Sequence, residues 1–159
     1  PVLIMKKIKM NKKTSSTLLY KNIINITNKE IINLIKNIDK YLLKNKILSI
    51  YKNRKIKSNI WRKRTFSDGI VDWRMKAEDI YRLCLALQKP YPNSVFNYNN
   101  DYYSIRKCKI DFRKLVNIEP GKIIEFNSKS FTIKCSDYLI KVLDYHPKIN
   151  FKLKKIKYL

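Results

Sequence analysis

At Pro90 the apolar pattern of this chain changes period, and that change limits the fold more than any other feature. Upstream, between Ala77 and Gln88, the residues Ile80, Leu83, Cys84 and Leu87 recur at i, i+3, i+4 and i+7. That spacing predicts one buried face of a helix. Glu78 and Asp79 lie in its first turn, where the positive end of the helix favours acid side chains. Pro90 stops it, because proline has no amide to donate, and Pro92 keeps the next stretch extended. Downstream the period is two. SVFNY (94–98) and YYSIRKCKI (102–110) flank a turn at Asn99-Asn100-Asp101 and read as a hairpin. Pro120-Gly121 opens a second set: KIIEF, a turn at Asn127-Ser128, SFTIKC, a turn at Ser136-Asp137, and YLIKVLDY. Five short strands at even spacing behind one helix predict an α+β chain ending in a small antiparallel barrel or sandwich. The tail NFKLKKIKYL is a last edge strand or a basic arm.

The first sixty residues follow a different pattern. Val2, Leu3 and Ile4, then Ile8 and Met10 among lysines, predict a strand at a sheet edge over residues 1–10. PVLIM is too short for a signal peptide and has no basic segment before it. Thr14 to Thr17 supply capping hydroxyls, and Leu19, Ile23 and Ile26 follow at helical spacing. Thr27 with Glu30 fits a capping box, which predicts that a helix restarts there. Ile31, Leu34, Ile35, Ile38 and Leu42 continue one apolar stripe with lysines opposite. Such a stripe needs a partner surface, expected to be the absent remainder of a domain. Residues 44–60 are polar, basic and without clear period. The expected division is 1–44, a linker at 45–61, and a C-terminal domain at 62–159.

Composition narrows the chemistry. The net charge is +24, which suits a polyanion such as RNA. The excess is mostly lysine, however, and Lys, Asn and Ile share adenine- and thymine-rich codons, so genome bias is an equally good source. No run of 18 apolar residues offers a membrane span. Cys84, Cys108 and Cys135 are far apart, with no CxxC pair, and His146 is the single histidine; no metal site is expected. The cysteines read as small apolar residues in packed elements, and an odd number without a signal sequence fits a reduced cytoplasm. Two glycines, Gly69 and Gly121, cannot build a phosphate-binding loop. His146 has no nucleophile placed beside it. Asp68 and Asp72 read as a turn cap and as the partner of a nearby arginine. No catalytic constellation is visible.

The basic and aromatic residues are more informative. Trp61, Arg62, Lys63, Arg64, Phe66, Trp73 and Arg74 crowd one short segment. Arginines stand out against the lysine background there, and their forked guanidinium suits phosphate or carboxylate. Tyr98, Tyr102 and Tyr103 either stack bases, as on OB-type sheets, or pack as ordinary strand residues.

RKRTFSDGIVDW (62–73), followed by KAEDIYRLCLALQKPYPNSVF (76–96), resembles the C-terminal part of the formyltransferases that use 10-formyltetrahydrofolate to formylate amino groups. The likeness rests on Arg62, Lys63, Arg64 and Thr65, on Asp68 in a turn, on Ile70, Asp72 and Trp73, on the amphipathic helix, and on Pro90-Tyr91-Pro92. PGKII (120–124) and FTIKCSDYLIKVL (131–143) resemble the family's final strands. The chain departs from the pattern at Leu85-Ala86, where an Arg-Ala pair is usual, and at Asn93, where glycine is usual. More weakly, PVLIMKKIKMNKKTSSTLLY resembles the stretch between the catalytic Asp loop and the closing helix of the Rossmann-like domain.

The resemblance implies the end of a catalytic domain, then an OB-like C-terminal barrel. The family's Asn, His and Asp would lie before Pro1, so no catalytic residue is carried over and the chain alone is expected to be inactive. The folate would be bound by the missing domain. Arg62, Lys63, Arg64 and Arg74 become candidates for acceptor binding, and Asp72, Trp73, Pro90, Tyr91 and Pro92 for domain docking. The implied protein is cytoplasmic. Its acceptor is a nucleotide-linked amino sugar or, alternatively, initiator methionyl-tRNA. A reading from another class is a stand-alone OB-like module that binds RNA and catalyses nothing.

Overall fold

The structure, a computed structural model, describes residues 4–43, 59–127, 129–149 and 158. Two compact units divide the chain: Pro1–Asn11 with Leu18–Lys63, and Lys12–Thr17 with Arg64–Leu159.

The larger unit contains the period change. A short 3-10 turn, Phe66–Gly69, leads to helix α3 (Ala77–Ala86), so numbered because two helices precede it, α1 (Ser16–Lys36) and α2 (Ile38–Leu43). Ala77, Ile80 and Cys84 are buried on one face of α3, and Leu87 continues that face just past its end. Five strands follow: β1 (Ser94–Tyr98), β2 (Asp101–Asp111), β3 (Ile123–Phe126), β4 (Phe131–Lys134) and β5 (Leu139–His146). They form one antiparallel sheet in the order β1-β2-β5-β4-β3. Strands β1 and β3 lie at the ends of that ladder, and five antiparallel strands behind one helix agree with the expected α+β C-terminal domain.

The turns obey their residues. Asn99 and Asn100 both take positive φ, 52° and 65°, between the paired Tyr98 and Asp101. That is the two-residue hairpin whose twist matches the strands, and asparagine tolerates it. Gly121 turns the chain into β3 at φ 91°, a region that L side chains seldom enter. Asn127 accepts from the amides of Lys129 (2.9 Å) and Ser130 (2.8 Å), closing the turn before β4.

The core is aromatic at its centre. Phe96 on β1 is fully buried and stacks on Tyr103 at 5.4 Å, with Phe131 at 5.4 Å, Trp73 at 6.0 Å and Tyr145 at 6.2 Å around it. Ile80, Ile105, Ile133, Ile140 and Val142 complete it. Trp73 reaches this cluster because Val71 donates to the carbonyl of Val95 (2.7 Å), which holds 70–71 alongside β1.

The smaller unit is built on α1. Two expectations fail here. Residues 4–10 form no strand: Ile4 and Ile8 instead line a groove with Ile23, Ile26, Ile31 and Leu34 of α1. A strand needs a neighbouring edge for its amides, and within this unit a helix lies alongside instead. Nor does a helix restart at Thr27. The helix α1 runs unbroken through Thr27 and Glu30, and Glu30 pairs with Lys6 at 2.9 Å rather than capping. The expected linker at 45–61 falls outside the described residues up to position 58, and residues 59–61 have no regular structure. Of the tail, Tyr158 bridges Lys122 in antiparallel fashion, and its other residues lie outside the description. Among the described residues no helix is long and apolar enough to cross a membrane.

Candidate acceptor and docking surface

The segment 64–77 carries most of the residues singled out by sequence, and its local bonds explain its shape. The Thr65 amide donates to the Asp68 carboxylate (2.7 Å), and the Asp68 amide donates back to the Thr65 carbonyl (3.2 Å). The acid therefore pins the start of the 3-10 turn. Asp72 takes both the backbone amide of Arg74 (2.9 Å) and its guanidinium, with Nη2 at 2.6 Å and Nε at 2.9 Å. The hydrogen bonds from Arg74 hold the Asp72 carboxyl below its ordinary value, and the same bonds raise the guanidinium. The two acids thus act as the cap and the arginine partner that the sequence suggests.

The four candidate acceptor-binding cations are not assembled within one unit. Arg62 and Lys63 belong to the smaller unit, Arg64 and Arg74 to the larger. All four are exposed. Arg62 donates to the carbonyl of Lys63 (3.3 Å), and Arg74 turns its fork onto Asp72. Of the docking candidates, Trp73 is 6% exposed and packs inside its own unit against Phe96. Asp72 and the run Pro90, Tyr91 and Pro92 are exposed. Just before that run, Ser16 donates to the carbonyl of Gln88 (2.7 Å) and Thr17 to that of Lys89 (2.5 Å). The hydroxyls expected to cap α1 therefore satisfy carbonyls at the end of α3, which a helix terminus leaves open.

The tyrosines divide. Tyr103 is buried on Phe96, whereas Tyr102 is exposed and meets Phe66 edge-on at 5.0 Å. His146 is an exposed strand-end residue paired with Ser104. The cysteines sit in packed elements, Cys84 accepting from the Ser94 hydroxyl (3.0 Å) and Cys135 pushed up to about 12 by burial. Among the described residues no group of three His, Cys, Asp or Glu stands close enough to hold a metal ion.

One anchor escaped the sequence reading. The Asp137 carboxylate, in the turn between β4 and β5, accepts from the amide of Ala77 (2.8 Å) and from Tyr138 (2.7 Å). It thereby caps the N-terminus of α3 from 60 residues away. The Ser136 amide donates to the carbonyl of Met75 (3.2 Å) beside it. The 72–77 segment is held at the sheet end by these bonds. Ser136-Asp137 reads as a turn in the sequence, but nothing local tells which helix its acid serves.

Residues 64–154 match the formyl transferase C-terminal domain family. The chain belongs to that family. It is also similar to the bifunctional polymyxin resistance protein ArnA of Wigglesworthia glossinidia brevipalpis, 34% identical over 102 residues. That match covers 64% of this chain and 15% of ArnA, so the chain spans a small part of that relative's length. Among solved structures, a HypX variant from Aquifex aeolicus aligns with a TM-score of 0.39 and 12% identity, over 65% of this chain and 19% of HypX. The formyltransferase resemblance drawn from residues 62–143 agrees with the family match.

Proposed function

We propose that this chain is the C-terminal portion of an enzyme that passes the formyl group of 10-formyltetrahydrofolate to an amine, the acceptor being a nucleotide-linked amino sugar. The observation that carries the reading is the family match over 64–154, joined to the 34% identity with a polymyxin resistance protein. The motif set of residues 62–92, closer to the sugar-modifying members, favours the amino sugar.

The chemistry belongs to a domain outside this chain. The described residues do not fit a folate. The groove along α1 is lined mainly by isoleucine, and its lysine and glutamate are bonded to each other at 2.9 Å. A pterin edge needs several convergent donors and acceptors, which that groove does not offer. No step is therefore assigned to the cofactor here. The part proposed for this chain is support and acceptor contact: α1 packs its apolar face on the catalytic domain, and Arg64 and Arg74 lie toward the acceptor's phosphates, with Arg62 and Lys63 in the segment before them. The exposed run Pro90, Tyr91 and Pro92, with Asp72, is the docking edge.

The test uses the full-length protein with 10-formyltetrahydrofolate and each amine in turn. Formyl transfer to the nucleotide-linked amino sugar is the expected result, and transfer to methionyl-tRNA alone would refute the acceptor. The net charge of +24 favours that second acceptor, and its signature would be tRNA affinity falling steeply with salt. RNA binding with no transfer to either amine would point to the RNA-binding module. The cytoplasm is the expected compartment, as three cysteines without paired spacing suit a reduced environment.

A further inference from the structure

Lys134 lies on β4 at 3% exposure, buried as few lysines are. Its ammonium donates to three carbonyls of the adjoining turn: Cys135 at 2.6 Å, Asp137 at 3.0 Å and Ser136 at 3.3 Å. An ammonium has three N–H donors and no acceptor, so three carbonyls account for its whole bonding capacity. Those carbonyls turn inward on consecutive residues. Without a cation between them their negative ends would face one another in a turn that is only partly open to water, buried at Cys135 and exposed at Ser136. The neighbouring carboxylate of Asp137 supplies countercharge, while its own oxygen is engaged with the amides of Ala77 and Tyr138.

We propose that the turn at residues 135–137 is a carbonyl site for a monovalent cation, with the Lys134 ammonium as its tethered occupant. Carbonyl oxygens are ligands that can replace the hydration shell of a potassium ion, and three from one turn meet the ammonium here. The cation keeps the turn closed. The turn in turn carries Asp137 to the end of α3 and Ser136 to Met75. Lys134 is thus a positioning residue for the 72–77 segment, acting through Asp137.

The test is Lys134→Met in the full chain. Methionine is one atom shorter than lysine along the side chain, so it fills the apolar stem and leaves the ammonium's place open. In sodium chloride the variant is expected to melt ~10 °C below the parent, as three carbonyls of the turn lose their donor. Ammonium or potassium chloride at the same ionic strength should recover about half of that loss, while tetramethylammonium chloride, too large for the site, should recover none. The parent's melting temperature should not distinguish the four salts. Equal melting of the variant in all of them, or a variant as stable as the parent, would overturn the proposal. Should the variant not fold, lysine acylation of the parent followed by mass spectrometry replaces it. Lys134 is then expected to react at least ~10-fold more slowly than exposed Lys129, and equal rates would overturn the proposal.

Discussion

The two units of this chain treat the same kind of residue in opposite ways. In the larger unit isoleucine is a core residue: Ile80, Ile133 and Ile140 are fully buried. In the smaller unit isoleucine lies open: Ile24, Ile31, Ile32 and Ile35 on α1 are 43–66% exposed, and α1 buries no residue completely. A strand sheet with one helix across it supplies enough surface to cover its own apolar side chains. Among the described residues of the smaller unit, α1, the short α2 and the segment before them do not. Among the described residues, the larger unit thus covers its own apolar side chains, whereas α1 in the smaller unit leaves its apolar face open.

That contrast can be broken most directly by protease. With a difference of roughly 3 kcal/mol in local opening, cleavage in the described part of the smaller unit should outrun cleavage in 64–149 by about 100-fold. Mass spectrometry of a time course reads the ratio, and similar rates in the two units would end the contrast. Next in size is the core itself. Phe96 contacts four other rings and is fully buried, so Phe96→Ala should cost ~4 kcal/mol in urea unfolding. A loss under ~1 kcal/mol would mean that the aromatic centre is not what holds the sheet.

Asp137 gives a smaller and sharper effect. Asp137→Ala removes the cap of α3 and should cost about 1–2 kcal/mol. The dependence on pH has a definite sign. Burial raises the Asp137 carboxyl, but the amides of Ala77 and Tyr138 and the charge of Lys134 lower it further, and its folded value lies below the ordinary one. Its contribution is therefore present above the unfolded carboxylate value near ~3.9 and is lost as pH falls through the folded value. Between pH 7 and pH 3 the parent should lose more stability than Asp137→Ala does. Parallel curves for the two would remove Asp137 from the account.

How much of this was legible in the sequence follows from the range of each interaction. The helix at 77–86, the strand at 94–98 and the Asn99-Asn100 turn were readable because spacing and turn chemistry act within a few residues. The return of β5 to lie between β2 and β4 was not, since no local pattern states which strand a ladder joins. Lys134 was not legible for a related reason: all four residues of β4 are buried, and the carbonyls of the next turn account for the charge. At the candidate site the acid–arginine bond of Asp72 and Arg74 was legible, two residues apart. Trp73 was expected to be a docking residue, yet its ring lies in its own core, because the bond from Val71 to Val95 draws the segment inward.

The smallest expected effect probes the open face of α1. Ile35 is 66% exposed, so Ile35→Lys removes little buried surface and should change the stability of this chain by no more than ~0.5 kcal/mol. In the full-length protein the same substitution has a different meaning. If the stripe of α1 seats on a catalytic domain, a charge in its last turn is desolvated there, and unfolding of the two parts should separate into two transitions where the parent shows one. An unchanged single transition in the full protein would mean that this face meets no partner. An isolated chain already weakened by several kcal/mol would mean that the face is covered within the smaller unit. Silence in the piece with disruption in the whole is the outcome that the contrast between the two units requires.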